Sequence, residues 1–277
     1  MSQGPVHYRV VGPADSSFPP VVFVHGLLVN GRLWTGVADA LAEHGIHSYV
    51  PDWPLGSHRV PMRPDADLSP RGVAAVIEGF LRALDLTDVT LVGSDTGGAL
   101  CQFAIDSGHE RIGRLVLTNC DAFEVFPPRA FEGLIKAGSH PVLLRLLFAA
   151  LLPTAVRHSS RGYGSLFAGE PDPDTTRSWI TPALGDARIR RDAAKLMSAM
   201  RPDELLDVSS RFGRFDKPVE LVWGDADPFF EFGLAERLAA AFPHATLTAV
   251  PGGRTFLPME FPEQIADVIA RASGVGA

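Results

Sequence analysis

Short apolar runs alternate with segments of helical periodicity along most of the chain. The apolar runs are rich in β-branched residues and lack polar alternation, a pattern typical of strands that are buried on both faces of a sheet. The predicted strands are 20–26, 47–53, 89–95, 114–120, 218–227 and 245–253. The predicted helices are 31–45, 71–86, 96–108, 232–242 and 262–272. This alternation predicts a mostly parallel sheet with right-handed crossovers, flanked by helices.

The alternation stops between residues 122 and 215 and resumes after them. That segment contains helical pieces, two adjacent prolines and a polar loop at 168–178, but no convincing strand. It predicts a helical insert in a sheet domain formed by residues 1–121 and 216–277. The most apolar stretch of the insert, 141–156, is shorter than the roughly 20 apolar residues that span a bilayer, so it favours a buried or cleft-lining helix.

Composition limits the partners that the chain can have. Its net charge is −7, whereas nucleic acid and anionic membranes favour a basic face, so neither is an expected partner. The two cysteines, Cys101 and Cys120, lie in apolar stretches outside any C-x-x-C pair, which predicts buried thiols in a reducing compartment. No secretory signal is visible at the N-terminus, and a cytoplasmic location is expected.

The stretch "VGSDTGGAL" (92–100) has the pattern of a nucleophile elbow with Asp95 at its centre. It follows a predicted strand and opens a predicted helix, and ligands of parallel sheets bind beyond the carboxyl ends of the strands. The tight turn requires Gly93 and Gly97 to avoid steric clashes. The Asp95 side chain then projects from the sheet, and the N–H of Thr96 points to the same place at a helix N-terminus, where negative charge is favoured.

A second N–H donor is expected from the loop after the first buried strand. His25-Gly26 lies 70 residues before Asp95 (95 − 25 = 70) and can turn the backbone N–H of Leu27 toward an anion. Leu27 and Thr96 together predict an oxyanion hole. Other polar residues that follow strands are His58, Asn119, Asp121 and Asp227.

At this point the chain resembles the α/β-hydrolase superfamily over nearly its whole length. The matching blocks, in order, are "VVFVHG", "PDWPLG", "LVGSDTGGAL", "LVWGDADPF" and "FLPMEFPEQIADVI". With aspartate at the elbow it is most similar to the branch of epoxide hydrolases and haloalkane dehalogenases. The resemblance implies an eight-stranded sheet, a helical cap domain (122–215) inserted after the sixth strand, a nucleophilic Asp95 and a catalytic acid at Asp227. A carboxylate nucleophile forms an ester that a histidine-activated water hydrolyses, without a cofactor or metal ion.

The chain departs from this branch at the relay histidine. Aligned on Phe256, Glu260 and Pro262, the expected histidine position holds Thr255, which follows Asp227 by 28 residues (255 − 227 = 28). The spacing indicates a substitution in an intact loop. A positioned general base contributes roughly 10²–10⁴-fold in rate, so an ester on Asp95 would persist unless another group acts as the base.

Several residues are candidates for the missing functions. His58, on the loop after a strand, is either the displaced base or a histidine bound to backbone. His25, Tyr163, Trp179 and Thr255 are candidate substrate contacts, although His25 could instead brace the oxyanion loop and Trp179 could belong to the core of the cap. Arg254 is a candidate partner of Asp227 in the vacant relay.

Three functions stay open at this level. The first is a hydrolase of a small, apolar molecule, most simply an epoxide, with Asp95 as nucleophile and a displaced base. Dehalogenation is disfavoured because related dehalogenases place Trp after the nucleophile and often Asn after the His-Gly pair, where this chain has Thr96 and Leu27. The second is a lyase, isomerase or cyclase that uses Asp95 as an acid or base. The third is a degenerate binding protein, and each is compatible with a homodimer.

Overall fold

Seven strands form one sheet in the computed structural model, which describes residues 3–275. The strands are His7–Val11 (β1), Val21–Val24 (β2), Ser48–Asp52 (β3), Val89–Asp95 (β4), Ile112–Cys120 (β5), Val219–Gly224 (β6) and Ala245–Val250 (β7). Their order in the sheet is β1-β3-β2-β4-β5-β6-β7. β1 runs antiparallel to β3, and every other neighbouring pair is parallel. The mostly parallel sheet expected from the sequence is therefore confirmed.

Helices cover the sheet and fill the interval between β5 and β6. The helices of the sheet domain are Thr35–Glu43 (α1), Pro70–Ala83 (α2), Thr96–Ser107 (α3), Phe232–Ala241 (α10), Leu257–Glu260 (α11) and Pro262–Ala272 (α12). The helices between β5 and β6 are Glu132–Gly138 (α4), Pro141–Ala150 (α5), Thr154–Arg157 (α6), Pro173–Gly185 (α7), Ala187–Ala199 (α8) and Pro202–Ser209 (α9). Within residues 3–275, no helix is long and apolar enough to cross a membrane.

The sheet is buried on both faces because successive strand residues point to opposite sides. In β2, Val22 and Val24 belong to one core, where α2 and α3 pack together. Val21 and Phe23 belong to the other core, where α1 packs against α12. All four side chains are fully buried, which explains the lack of polar alternation in the sequence of this strand.

The prediction of eight strands, with the helical cap inserted after the sixth, differs from what the structure shows. The described residues contain seven strands, and the helical segment follows the fifth of them, β5. The described residues before β1 are Gln3 to Val6, and they form no strand. The antiparallel edge therefore consists of β1 alone.

The elbow between β4 and α3 lies directly against the end of β2. A Cβ atom added at Gly97 would overlap the carbonyl oxygens of Val24 and His25. Both are backbone atoms that cannot move without displacing the strand. The sequence therefore needs glycine at this position to bring the elbow against the loop that follows β2.

We expect Gly97→Ala to lower the free energy of unfolding by about 1–3 kcal/mol, the usual cost of overpacking a rigid site. Gly233→Ala is the matched control, because Gly233 lies in α10 with open space around its Cα and alanine is the better helix former. Urea denaturation of both variants checks the expectation. Equal stability of the two variants would contradict the close approach.

Candidate active site

Asp95 occupies a strained backbone conformation at the junction of strand and helix. It is the last residue of β4 and directly precedes α3, with φ 54° and ψ −135°. Positive φ in a residue other than glycine costs of order 1–3 kcal/mol and clusters at functional sites. The turn thus has the geometry of the predicted elbow, with the carboxylate projecting beyond the sheet.

Two backbone N–H groups face the Asp95 carboxylate. The N–H groups of Thr96 and Leu27 both favour its charged form. Gly26 permits this approach, because a Cβ there would overlap the Asp95 side chain. The loop after β2 is held by Leu28, whose N–H donates to the carbonyl oxygen of Leu55 at 2.9 Å. The two predicted oxyanion donors are therefore brought together at Asp95.

Burial and a neighbouring carboxylate work against ionisation of Asp95. Burial is the largest influence and, with the nearby charge of Asp227, it raises the pKa of Asp95 to about 7, against the opposing N–H groups of Thr96 and Leu27. Near neutral pH, Asp95 therefore exchanges a proton readily. It could serve as a nucleophile in its charged form or as an acid or base in proton transfer.

Asp227 follows β6 and is held by four hydrogen bonds. Its Oδ1 accepts from the N–H of Phe229 at 2.8 Å and of Phe230 at 3.2 Å. Its Oδ2 accepts from Asn119 Nδ2 at 2.9 Å and from Thr255 Oγ1 at 2.9 Å. Burial nevertheless raises the pKa of Asp227.

Thr255, where the sequence analysis expects a relay histidine, carries a hydroxyl that does not titrate near neutral pH. Its side chain is fully buried against Asp227, and its backbone carbonyl accepts from Ser94 Oγ at 3.4 Å. Arg254 does not take that place, because its Nη1 donates to the carbonyl oxygen of Phe167 at 3.1 Å. The interaction of Arg254 with Asp227 that the sequence left open is therefore not formed.

A third carboxyl group, Asp121, lies beside Asp95. β5 pairs with β4 so that Cys120 stands opposite Asp95, and Asp121 is the next residue. Asp121 is fully buried, and neither carboxyl oxygen has a hydrogen-bond partner in the described structure. Burial, followed by the charge of Asp95, raises the pKa of Asp121 well above its usual value. The sequence placed Asp121 after a strand but offered no signal for this pairing.

His58 is buried away from the Asp95 cavity. Its Nδ1 accepts from the N–H of Gly56 at 3.3 Å, so its ring proton is on Nε2, which donates to Asp192 Oδ2 at 3.2 Å. Asp192 lies in α8 and also accepts from the N–H of Met62 at 2.8 Å. His58 thus joins the loop after β3 to the helical segment, and the structure does not bring it to Asp95.

His25 and Trp179 also lie behind the cavity wall. His25 Nε2 accepts from the N–H of Trp53 at 2.9 Å, and its Nδ1 donates to the carbonyl oxygen of Gly26 at 2.9 Å. Burial lowers the pKa of His25 to about 4, so it braces the oxyanion loop as a neutral ring. Trp179 is fully buried and contacts the ring of Tyr163 edge-on, with centroids 5.0 Å apart.

A cavity of about 630 Å³ opens in front of Asp95, between the sheet and the helical segment. Its wall is mostly apolar and includes residues of α4 and α5. The large apolar residues that these helices and the turn after α5 contribute are Leu134, Ile135, Leu144, Leu147, Phe148 and Leu151. The polar side chains besides Asp95 are Thr96, Ser160, Arg161, Tyr163 and Ser165. Tyr163 donates its hydroxyl to the carbonyl oxygen of Leu28 at 2.8 Å. The wall fits a small, mostly apolar molecule.

Comparisons with known proteins agree with this architecture. The family model described as alpha/beta hydrolase fold matches residues 19–262. A haloalkane dehalogenase of Mycolicibacterium paratuberculosis is 27% identical over 88% of this chain and 80% of its own length. The haloalkane dehalogenase DbeA from Bradyrhizobium elkani superimposes with a TM-score of 0.77 at 16% identity, covering 98% of this chain and 94% of that one. The epoxide hydrolase CorEH superimposes with a TM-score of 0.74 at 17% identity, covering 96% of this chain and 93% of that one.

The raised pKa of Asp95 predicts a pH-dependent gain of stability in Asp95→Asn. The folded protein binds an extra proton between the ordinary pKa of an aspartate and about 7, so its free energy of unfolding falls as pH rises through this interval. At pH 8 the buried charge costs on the order of 4 kcal/mol, which the neutral amide removes. Chemical denaturation should show this gain at pH 8 and its disappearance near pH 4. Exposed Asp15→Asn is the control, and a gain independent of pH would contradict the burial of charge.

The contacts of His58 predict a structural effect of its removal. His58→Ala and Asp192→Ala should each lower the free energy of unfolding by about 3 kcal/mol, since each breaks a buried polar pair. The double variant should lose less than the two single losses combined. His140→Ala, at an exposed histidine of the helical segment, is the control. Full stability of His58→Ala together with lost turnover would instead support His58 as the displaced base.

Proposed function

Because the chain belongs to the alpha/beta hydrolase fold family, we propose that it is a hydrolase of a small, apolar electrophile, of the epoxide hydrolase type, with Asp95 as the reacting carboxylate. The observation that carries the proposal is the position of Asp95. It stands on a strained elbow, faces an apolar cavity and is met by the N–H groups of Leu27 and Thr96.

The donors around the cavity favour an epoxide over a halide. No tryptophan or asparagine lines the cavity among residues 3–275, so the side-chain N–H groups that bind halide in related dehalogenases have no counterpart there. Opening an epoxide requires a proton for the departing oxygen, and Tyr163 carries the one phenol on the described wall. Burial raises the pKa of Tyr163, so its hydroxyl keeps the proton until an alkoxide forms.

In the first step an oxygen of Asp95 forms a bond to a ring carbon of the epoxide. The bond from that carbon to the ring oxygen breaks, and the oxygen takes the hydroxyl proton of Tyr163, which must turn from the carbonyl of Leu28. The product is an ester on Asp95. In the second step water attacks the ester carbonyl, and the N–H groups of Leu27 and Thr96 stabilise the oxyanion that develops there. The bond from the acyl carbon to the alkyl oxygen then breaks, that oxygen takes the proton that the base accepted from water, and the diol leaves Asp95.

We place the base of the second step at Asp121. The negative charge of Asp95 contributes to the raised pKa of Asp121, and formation of the ester removes that charge. The pKa of Asp121 then falls, so Asp121 can release its proton, which restores the hydroxyl of Tyr163, and can then accept a proton from the attacking water. His58 would have to leave both Gly56 and Asp192 to act in the same way.

A second candidate function is supported by the proton chemistry of the same pair. Asp95, with a pKa of about 7, stands beside Asp121, whose pKa is raised well above its usual value. One carboxyl can give up a proton while the other holds one, as elimination, isomerisation or cyclisation requires. No ester forms in such a reaction, so no relay histidine is needed to release one.

Incubation with a panel of epoxides, followed by mass spectrometry and product analysis, separates these functions. The wild type should form diol, and Asp95→Asn should lose at least about a hundredfold in rate. Asp121→Asn should accumulate an ester on Asp95 because release slows by about 10²–10⁴-fold. Asp203→Asn, at an exposed carboxylate, controls for the change of charge.

Other outcomes would overturn the proposal in distinct ways. A stoichiometric adduct on Asp95 of the wild type without diol would exclude turnover by hydrolysis. Conversion to an isomer without an adduct would favour the acid–base function. Turnover that survives in Asp95→Asn would contradict both the hydrolase and the acid–base function. Binding of an apolar ligand without any conversion of it would indicate a degenerate binding protein.

A further inference from the structure

One side of α5, together with the turn and the short helix α6 that follow it, carries a concentration of exposed, large apolar side chains. Val142 is 72% exposed and Leu146 is 59% exposed, values that are rare for such residues in a folded domain. The full group, which we call the α5 face, consists of Val142, Leu143, Leu146, Leu152 and Val156. The remaining exposed large apolar residues of the described chain are scattered over Tyr8, Val10, Val60 and Leu206.

The chain around the α5 face is basic, although the whole protein is acidic. Residues 127–167 carry five basic side chains and one acidic one, a net charge of +4 within a chain of net charge −7. The basic side chains that are exposed are Arg129, Lys136, Arg145 and Arg161. The helical segment therefore combines apolar exposure with a positive net charge along the same stretch of chain.

These cations are not neutralised by carboxylates of the protein. In the part of the chain that the structure describes, every ion pair between arginine and a carboxylate involves residues outside 127–167. Glu132 makes no ion pair either. The positive charge of this region is thus directed at solvent and attracts anions from outside.

We propose that the α5 face binds the surface of an anionic lipid bilayer. A helix with exposed leucine and valine beside basic residues inserts its apolar side among acyl chains, while each cation near anionic headgroups adds about 1 kcal/mol. A symmetric contact with a second copy is disfavoured, because it would bring the same cations of two chains together. The expectation against a membrane partner rested on the net charge of the whole chain, which conceals the basic segment 127–167.

The α5 face is also continuous with the wall of the Asp95 cavity. Leu147 and Leu151, on the other side of the same segment, line the cavity, and Val156 belongs both to the α5 face and to the cavity wall. An apolar molecule dissolved in the bilayer would therefore find a path to the cavity along Val156. The binding of lipid itself does not depend on the reaction at Asp95.

Vesicle flotation tests the proposal directly. The protein should float with vesicles of equal parts phosphatidylglycerol and phosphatidylcholine, and not with pure phosphatidylcholine, and high salt should release it. Lys136→Glu with Arg145→Glu should weaken binding by about tenfold or more, as should Leu143→Ser with Leu146→Ser. The control is Leu206→Ser with Arg214→Glu, an exposed apolar and basic pair outside the α5 face.

Three results would overturn the proposal. The first is absence of flotation with both kinds of vesicle. The second is flotation that neither pair of substitutions in the α5 face reduces. The third is a dimer in analytical ultracentrifugation that Leu143→Ser with Leu146→Ser dissociates, because a second copy would then be the occupant of the face. The rate of epoxide turnover is measured in parallel for each variant and should equal that of the wild type. This measurement distinguishes failure of lipid binding from failure of the reaction at Asp95.

Discussion

The close approach of the loop after β2 to the elbow after β4 is the constraint on which the site depends. Gly97 lies against the carbonyl oxygens of Val24 and His25, and Gly26 lies against the Asp95 side chain. Only residues without a Cβ allow the two turns to meet. Their contact directs the N–H groups of Leu27 and Thr96 to one point and holds Asp95 at positive φ. The burial that raises the pKa of Asp95 is a consequence of the same contact.

Charge at this edge of the sheet is balanced without a cation close to the carboxyl groups. The charge of Asp227 acts on Asp95, and the charge of Asp95 acts on Asp121. Hydrogen bonds from Thr255, Asn119 and two backbone N–H groups hold Asp227, whereas Asp121 has no such partner in the described structure. The repulsion between these carboxylates is therefore relieved by protonation of Asp95 and Asp121, whose pKa values are raised. The site is distinguished by which carboxyl group holds a proton, more than by ion pairs.

Local sequence features account for the fold far better than for these contacts. The strand 89–95 and the helix 262–272 were predicted to the residue, because buried strands and amphipathic helices leave their periodicity in consecutive positions. The elbow could be predicted for the same reason. His58 with Asp192, and Tyr163 with the carbonyl of Leu28, join segments more than 100 residues apart, and no local pattern encodes such pairs. The count of eight strands came from resemblance alone, whereas the described residues form seven.

The helix α5 shows why its apolar sequence admitted two interpretations. A helix that is apolar on every side is ordinarily buried on every side. In α5, Leu144 and Phe148 are buried, and Leu147 faces the cavity, but Leu143 and Leu146 face solvent. The buried and cavity-facing side chains explain the expectation of a buried or cleft-lining helix. The solvent-facing side chains have no partner within the described chain. The periodicity of a sequence indicates that one side of a helix is apolar, but it does not indicate what covers that side. Only the structure could therefore distinguish the residues of α5 that line the cavity from those that face solvent.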